Sequence, residues 1–538
     1  MTTRVGLIVA LSIFASSGFA QEPVDFDAVA RIKEEAFQRS EVLDTLSYLT
    51  DVYGPRLTGT PAYYEAVVWA QQRLESWNLA NVHLDPYRDD LRGWEMESYA
   101  VEMVEPRYMN ITALPDAWTR GTGGEVTGEP IVVDYTSWEA LQELRGGLRG
   151  RILLSPEIRM QGRMRQGVFT DEELTNAERQ TDPDNEGRLD NADLDRSRDR
   201  GRGGRGGSGA GDINQFLIDE GVAAVIRGSS KAPGTLDANQ QRYIRKGDIK
   251  PVPHFVISRE QHARMLRMLD RDTTFTLKLH LNVTFHEDPR YHTNLIAEIP
   301  GTDPELKDQL VLVGGHFDSY HSGTGAADNG AGSAVTMEVM RVLMALGVTP
   351  RRTIRLVLWG SEEQGHLGSR GYIAKYVADP DTGADLGELS RISVYFNHDN
   401  NGHDIRGIHG QGNEAIRPIF ERYLEPFHQL GAETVTIENA GGTDHLGFDA
   451  VNIPAFEWIQ DPQQYFYTQI HSNMDVLDFV SEETMKRNVA IIATFVYHAA
   501  MRDEMMPRKS AGGRLLDILR AAESGIGITV RLQIAGAS

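Results

Sequence analysis

Cysteine is absent from this chain of 538 residues. The chain therefore has no disulfide bridge, no thiolate-bound zinc or iron–sulfur cluster, and no cysteine nucleophile. Basic residues are in deficit, with 54 Lys and Arg against 77 Asp and Glu and a formal net charge of −23. This balance disfavours general nucleic-acid binding. Any metal site must be built from carboxylates and from the 16 histidines.

Long apolar runs are also scarce, and the longest lies at the N-terminus. Arg4 precedes an apolar segment from Val5 to Ala15, and the small residues Gly18 and Ala20 have the spacing of a cleavage site. This segment is too short to span a bilayer, which needs about 20 apolar residues. We therefore expect residues 1–20 to be a cleaved signal peptide. The mature chain should be periplasmic or secreted and should contain no membrane span.

The composition changes along the chain and predicts its organisation. Residues 21–124 look partly helical and are expected to be the N-terminal part of the main domain, and residues 125–282 are rich in short β-like runs. Within that segment, residues 171–212 predict a disordered loop, whose arginines and glycines concentrate at 196–211. Nucleic-acid tethering by this loop is disfavoured because aspartates offset much of its arginine charge. Residues 283–503 are expected to form the larger, second part of the main domain, followed by a tail at 504–538.

Strands and helices alternate from Thr293 onward. Near-continuous apolar runs at 309–314 and 353–359 are typical of strands buried on both faces, and helices are predicted at 329–346 and 482–503. This alternation predicts an α/β fold with a mixed, mostly parallel sheet covered by helices on both faces.

Polar clusters follow these predicted strands, where open α/β sheets place their ligands. Each is weak evidence alone, since Asp328 could simply cap a helix and Glu362–Glu363 could be a solvated pair. Among their residues are two histidines and three carboxylates, with a spare Glu, that could make up the ligand set of a two-metal hydrolytic site. Nitrogen and oxygen donors without thiolate fit Zn²⁺ best. The clusters are His316-Phe-Asp318, Asp328-Asn-Gly330, Glu362-Glu363, Asn397-His-Asp399 and His471-Ser-Asn-Met-Asp475. In the first, the Asp318 carboxylate could hold one imidazole nitrogen of His316 while the other binds metal. In the last, His471 could bind metal and Asp475 could orient it.

The order of these motifs resembles the co-catalytic two-zinc exopeptidase family. That family includes secreted bacterial aminopeptidases and the carboxypeptidase Q-like plasma glutamate carboxypeptidases. The resemblance covers roughly residues 40–500, and Gly54-Pro-Arg-Leu-Thr-Gly59 looks most like the carboxypeptidase Q-like branch. The segment 125–282 looks like the protease-associated domain often inserted in this family. The resemblance thus implies the zinc exopeptidase fold with that insertion. Residues 21–124 would then be the N-terminal part of the peptidase domain, and residues 283–503 the catalytic zinc peptidase domain.

The resemblance also implies the roles of the site residues and two Zn²⁺ per chain. His316 and Asp399 would bind one zinc, and Glu363 and His471 the other. Asp328 would bridge the two. Glu362 would act as general base on a water that bridges the zincs, and Asp318 would orient His316.

One position departs from the family pattern. Many relatives have Tyr directly before the last His, where this chain has Ile470. Tyr465, Tyr467 or His445 could supply the missing oxyanion donor. Asp444 could recognise a substrate amine or brace the site.

The resulting hypothesis is a zinc exopeptidase that cleaves terminal bonds of short peptides. Aminopeptidase and dipeptidase-like carboxypeptidase specificities both stay open. The alternatives are a glutaminyl cyclase or N-acyl amidohydrolase on the same scaffold, and a non-catalytic receptor-like homologue. The expected partner is a peptide substrate rather than nucleic acid, and a homodimer stays open.

Overall fold

The computed structural model describes residues 21–156, 167–184, 210–399 and 402–509. The predicted signal peptide and the arginine- and glycine-rich run up to residue 209 lie outside these ranges. None of the helices within them is long and apolar enough to cross a membrane.

The helices of the described residues are α1 (Phe26–Gln38), α2 (Val42–Ser47), α3 (Pro61–Ser76), α4 (Trp138–Glu143), α5 (Asp171–Glu178), α6 (Ala210–Glu220), α7 (Arg259–Leu269), α8 (Ala331–Ala345), α9 (Leu367–Tyr372), α10 (Arg417–Leu424), α11 (His445–Ala450) and α12 (Glu482–Met501). The strands are β1 (Ala80–Pro86), β2 (Gly93–Glu105), β3 (Met109–Asn110), β4 (Ala113–Pro115), β5 (Val126–Gly128), β6 (Pro130–Val132), β7 (Ile152–Leu154), β8 (Ala224–Gly228), β9 (His254–Ile257), β10 (Thr276–His286), β11 (Thr293–Ile299), β12 (Leu310–His316), β13 (Thr353–Trp359), β14 (Ile392–Asn397), β15 (Ile405–His409), β16 (Thr434–Thr436), β17 (Ala455–Phe456) and β18 (Trp458–Gln460).

A six-stranded mixed sheet in the order β1-β11-β13-β12-β14-β17 organises the α/β domain. Its central strands β13, β12 and β14 are parallel, whereas β1 and β11 run antiparallel to their neighbours. Val311 and Val313 of β12 point into a core that includes α1, α8 and α12, and Leu310 and Leu312 point into a second core on the opposite face. Helices therefore cover both faces, and the predicted fold class is confirmed.

A second lobe, residues 93–286, is inserted between β1 and β11. Its four-stranded sheet β3-β2-β10-β5 packs against a five-stranded sheet in the order β4-β9-β8-β7-β6. We call this unit the inserted lobe. Its predicted identity as a protease-associated domain stays a prediction.

The inserted lobe begins earlier in the chain than the predicted boundary of 125. Strand β2 pairs along its length with β10, so that Leu279 lies opposite Val101 and Phe285 opposite Trp94. Residues 93–124 therefore belong with the lobe and not with the N-terminal part of the α/β domain. This pairing joins segments about 180 residues apart, beyond the reach of local sequence patterns.

The predicted disorder of 171–212 is wrong for its first part. Thr170 caps α5 through a capping box with Glu173. The helix buries Leu174 and Ala177 against Ile459, and the Ala177 carbonyl accepts a hydrogen bond from Thr436. The low apolar content of the whole segment obscured this short amphipathic helix.

The predicted tail also begins later than residue 504. Met506 is buried in the core, and Lys509 forms an ion pair with Asp449. The described part of this segment therefore packs on the α/β domain.

Candidate metal centre and catalytic site

The predicted ligands converge because three parallel strands end at one edge of the sheet. His316 is the last residue of β12 and lies beside Trp359, the last residue of β13. Gly314 pairs with Asn397 at the end of β14. The residues directly after β13 and β14, which include Glu362, Glu363 and Asp399, therefore approach His316.

Two further segments supply the remaining ligands. Asp328 lies in an irregular turn, Ala326–Gly330, which leads into α8, and the Asp328–Asn329 peptide bond is cis. His471 follows the helical turn Tyr465–Gln469 and adopts a positive φ of 55°. The His471 ring stacks on Tyr320, with ring centroids 3.7 Å apart.

The five side chains form two adjoining groups that share Asp328. His316 Nε2 lies 3.2 Å from Asp399 Oδ1 and 3.3 Å from Asp328 Oδ1. His471 Nε2 lies 3.1 Å from Asp328 Oδ2 and 3.1 Å from Glu363 Oε2. Each Asp328 oxygen thus faces a different histidine, the arrangement that a carboxylate bridging two cations requires.

The donor chemistry fits zinc ions. Each group offers one imidazole nitrogen, one carboxylate of its own and one oxygen of Asp328, and the donor atoms within each group lie within 4.8 Å of one another. Glu363 Oε1 is buried and accepts no hydrogen bond from the described residues. A buried carboxylate oxygen without a donor is costly unless a cation or proton satisfies it.

The ionisation of each carboxylate in the site depends on the charges of its neighbours. Burial and the negative charges of Asp328 and Glu362 raise the pKa of Glu363 well above its usual value. Burial works against ionisation of Asp328 as well, but hydrogen bonds from His316 and His471 hold the pKa of Asp328 below its usual value. The carboxylates therefore need positive charge at their centre.

Asp318 contacts His316 through a different atom from the one predicted. His316 Nδ1 lies 3.0 Å from the backbone carbonyl oxygen of Asp318, and the Asp318 carboxylate is farther away at 3.6 Å. That carboxylate accepts a hydrogen bond of 3.1 Å from the Glu362 amide. Asp318 thus positions both a predicted ligand and the predicted general base.

Asp475 also differs from the sequence interpretation, which had it orienting His471. Its carboxylate accepts hydrogen bonds from the backbone amides of Ala327 and Asp328 at 2.5 and 3.2 Å. Burial and the negative charge of Asp328 raise the pKa of Asp475 to about 8. Asp475 therefore fixes the turn that presents Asp328.

Glu362 lies beside the two groups in a buried setting. Burial raises the pKa of Glu362, and the imidazole Nε2 of His366 lies 3.0 Å from Glu362 Oε1. The preceding Ser361 has a positive φ of 56°, and its hydroxyl lies 2.7 Å from that of Thr58 and 2.5 Å from that of Tyr87. Sequence reasoning missed these contacts, because Thr58 and Tyr87 lie about 300 residues before Glu362.

The remaining predicted residues differ in their surroundings. Asp444 is buried and accepts a 2.5 Å hydrogen bond from Ser369, and burial together with the charge of Glu362 raises its pKa to about 7. His445 Nε2 lies 2.6 Å from the Gln411 amide nitrogen, and burial lowers its pKa to about 3. Its contact with Gln411 gives His445 a structural role.

Tyr465 and Tyr467 share one helical turn but not one environment. The Tyr465 hydroxyl is buried and has no hydrogen-bond partner among the described residues. Burial, with the negative charges of Asp328 and Asp399, raises the pKa of Tyr465 well above its usual value. Tyr467 is half-buried, and its backbone carbonyl contacts the Ala232 amide of the inserted lobe.

A cavity of about 460 Å³ lies beside Glu363, between the α/β domain and the inserted lobe. Tyr320 and Glu363 contribute to one side, and Tyr243 of the inserted lobe contributes to the other. Gln364 donates a 2.7 Å hydrogen bond to Gln240 across the two units. Three arginines, Arg88, Arg242 and Arg245, are among the residues that line the cavity, and Arg88 forms an ion pair with Asp90.

Comparison with known proteins identifies the family. Residues 294–496 match the sequence model of peptidase family M28. This part of the chain belongs to peptidase family M28. The matched segment begins in β11 and ends in α12, so the M28 segment contains all five predicted metal ligands and Glu362. The resemblance predicted from the motifs is confirmed at the level of the family, and the chain is a peptidase.

Similarity to known proteins extends beyond the M28 segment and covers most of the chain. Carboxypeptidase Q of Homo sapiens is 27% identical over 466 residues, which cover 86% of this chain and 86% of the relative. A peptidase M28 precursor from Shewanella amazonensis SB2B matches with a TM-score of 0.66 and 22% identity, covering 90% of this chain and 98% of that one. BSAP, a zinc aminopeptidase from Bacillus subtilis, matches with a TM-score of 0.54 and 18% identity over 86% and 95% of the two chains. These two structural likenesses show a shared fold.

Proposed function

We propose that this M28 peptidase is a zinc-dependent exopeptidase that hydrolyses the terminal bond of short peptides. The observation that carries the proposal is the pair of His–carboxylate groups joined through Asp328, with the additional buried carboxylate of Glu362 beside them. Carboxypeptidase Q and a zinc aminopeptidase are among the similar proteins.

The distances within the two groups support one assignment of the zinc ligands. His316 and Asp399 would hold one Zn²⁺, Glu363 and His471 would hold a second, and Asp328 would bridge them. Zinc held there would polarise the scissile carbonyl and lower the pKa of a nearby water.

Glu362 performs the proton transfers in the proposed mechanism. Its carboxylate accepts a proton as the oxygen of the attacking water bonds to the carbonyl carbon. It then gives this proton to the leaving amine nitrogen as the carbon–nitrogen bond breaks. The hydrogen bond from the Glu362 amide to Asp318 and the contact with His366 hold the carboxylate in place.

The cavity beside Glu363 favours a substrate with a free carboxylate. Guanidinium groups bind carboxylates with directed hydrogen bonds. Arg88, which also pairs with Asp90, and Arg242 and Arg245 line this space although the chain as a whole is acidic. We therefore favour dipeptides and other short peptides with a free C-terminus. An aminopeptidase, with Asp444 near the substrate amine, is the second candidate.

A substrate panel with the zinc-loaded protein tests the proposal. Free dipeptides should be cleaved faster than aminoacyl-nitroanilides and C-terminally amidated dipeptides. Faster cleavage of nitroanilides would favour the aminopeptidase instead. Mass spectrometry that finds cyclised glutamine or released acyl groups, with no peptide cleavage, would contradict both.

The Glu362→Gln variant tests the general base. We expect kcat to fall by about 10²–10⁴-fold, because general acid–base catalysis contributes that much, while zinc content stays at the wild-type level. Metal analysis of the same preparation separates loss of the base from loss of zinc. Activity within a few-fold of wild type would exclude Glu362 as the base.

We also propose that the mature protein acts outside the cytoplasm. N-terminal sequencing of protein recovered from the periplasm or medium should begin at Gln21. Recovery only from the cytoplasm with Met1 retained would contradict this proposal.

A further inference from the structure

The loop Gly54–Gly59 contains a buried arginine that the proposed mechanism does not use. Arg56 is fully buried, although the loop belongs to the N-terminal segment and lies far from the predicted ligands in the sequence. An arginine is seldom fully buried unless its donors are satisfied.

Each of the three guanidinium nitrogens of Arg56 donates to a backbone carbonyl. Nε donates to Phe317 at 2.8 Å, and Nη2 donates to Gly325 at 2.9 Å. Nη1 donates to Thr324 at 3.1 Å and to Leu49 at 2.8 Å. One planar guanidinium therefore joins three separate segments of the chain.

Two of these segments carry predicted zinc ligands. Phe317 lies between His316 and Asp318, and Thr324 and Gly325 open the turn that presents Asp328. The Arg56 backbone adds to the connection, since its amide donates to the Ser319 hydroxyl at 3.0 Å and its carbonyl accepts from the Ser319 amide at 3.1 Å.

The turn before Asp328 packs closely against the Arg56 guanidinium. A Cβ added at Gly325 or at Gly330 would lie 3.2 or 3.3 Å from Arg56 Nη2. Gly325 also has a positive φ of 69°, which disfavours other residues. These glycines let the turn before Asp328 lie directly against Arg56.

The guanidinium is charged at neutral pH. Burial lowers its pKa to about 10, and the negative charges of Asp475, Asp318 and Asp328 oppose that lowering. A charged donor makes stronger hydrogen bonds to carbonyl oxygens than a neutral donor.

We propose that Arg56 is a positioning residue that sets the separation of His316 and Asp328 before zinc binds. This inference rests on the proposed zinc site. Removal of residues that orient metal ligands typically lowers metal affinity by about 10–100-fold. A role through charge alone has the opposite sign, because removing a positive charge near a cation site strengthens binding of the cation.

Zinc affinity of the metal-free protein, measured by competition with a chromogenic chelator, tests the proposal. Arg56→Lys keeps the charge but cannot reach the four carbonyls, and Arg56→Met removes both features. We expect zinc affinity to fall about tenfold or more in both variants. Tighter zinc binding by Arg56→Met would indicate a charge role and overturn the proposal.

Arg352 provides a matched control in the same domain. Arg352 directly precedes β13, at the end of the sheet away from the site, and it is also fully buried. Its guanidinium donates to Gln309 Oε1 at 2.7 Å and to the backbone carbonyls of Arg502 and Asp503. Arg352→Lys should lower thermal stability without changing zinc affinity more than twofold.

The outcomes separate this inference from the proposed function. Wild-type protein that binds no zinc would overturn both. Zinc binding by the wild type and equally by a folded Arg56→Lys variant would overturn only the positioning role. Equal loss in Arg352→Lys, or failure of both Arg56 variants to fold, would assign Arg56 to general stability instead.

Discussion

At the scale of single residues, Tyr465 combines burial with a hydroxyl that has no hydrogen-bond partner within the described ranges. Leaving a buried hydroxyl without a partner costs about 1–3 kcal/mol, so its retention beside Asp328 and Asp399 calls for a ligand atom. The raised pKa keeps the phenol protonated at neutral pH. A substrate carbonyl oxygen that gains negative charge during hydrolysis would accept from this phenol.

Tyr465→Phe is expected to lower kcat by up to about 10²–10³-fold, the usual effect of losing one oxyanion donor, with little change in KM. Stability should stay equal or rise, because the buried hydroxyl has no partner among the described residues. Steady-state kinetics and thermal unfolding measure the two effects. Tyr467→Phe is the matched control, and an equal loss of kcat in both variants would contradict the assignment.

The residue types of the site could be predicted, but the atoms that make each contact could not. Histidines and carboxylates after apolar strands are visible in the sequence, because parallel strands end at one edge. The spacing of His316 and Asp318 does not reveal that the Asp318 carbonyl, and not its carboxylate, lies closest to the imidazole. Arg56 and Thr58 reach the site only through the tertiary fold.

At the scale of secondary-structure elements, the start of α8 is fixed to the end of β14. Asn329 donates through Nδ2 to the His398 carbonyl at 2.9 Å, and its Oδ1 accepts from the Gly332 amide at 3.1 Å. A Cβ at Gly332 would lie 2.2 Å from both Asn329 Oδ1 and the His398 carbonyl oxygen. Asp399 follows His398, so this packing also positions a predicted ligand.

Gly332→Ala should therefore destabilise the fold by about 1–3 kcal/mol, the usual cost of overpacking, and weaken zinc binding because Asp399 must move. Urea unfolding of the metal-free protein and chelator competition measure these effects. Gly128→Ala in β5 is the control, since a Cβ there meets nothing within 4 Å. Unchanged zinc binding in a destabilised Gly332→Ala variant would show that the helix start and Asp399 are independent.

Elements of the α/β domain were predictable to within a few residues because their apolar patterns are local. The predicted strand 309–314 is observed as Leu310–His316, and the predicted helix 482–503 as Glu482–Met501. The extent of the inserted lobe was not predictable in this way, since β2 is defined by its pairing with distant β10. Helix α5 is stabilised by packing on Ile459 and by its cap, and neither contact follows from composition.

At the scale of the whole molecule, the inserted lobe contacts the loops that carry the site. The Lys231 ammonium donates to the Phe466 carbonyl at 3.0 Å, and the Leu236 amide donates to Asn473 Oδ1 at 2.7 Å. Phe466 and Asn473 flank His471 in sequence. The position of His471 therefore depends on how the two units pack, and the cavity beside Glu363 lies between the same two units.

Buried histidines distributed over both units should make stability fall as the pH falls below about 6.5. Burial lowers the pKa of His254, His262 and His292 from 6.5 to about 4. Between these values the unfolded chain binds more protons than the folded protein, so each histidine favours unfolding, by about 3 kcal/mol once pH 4 is reached. Above pH 6.5 these rings are neutral in both the folded and the unfolded state, so this loss of stability is absent.

His292→Phe isolates one of these contributions, because it keeps an aromatic ring and removes the titrating group. Neither ring nitrogen of His292 has a hydrogen-bond partner among the described residues, so the substitution breaks no such bond. Urea unfolding of the metal-free protein from pH 7 to pH 4 should show a pH dependence reduced by about one proton, while the exposed His428→Gln variant behaves as wild type. An unchanged slope in His292→Phe would mean that His292 is already protonated in the folded protein, and burial would then not control its charge.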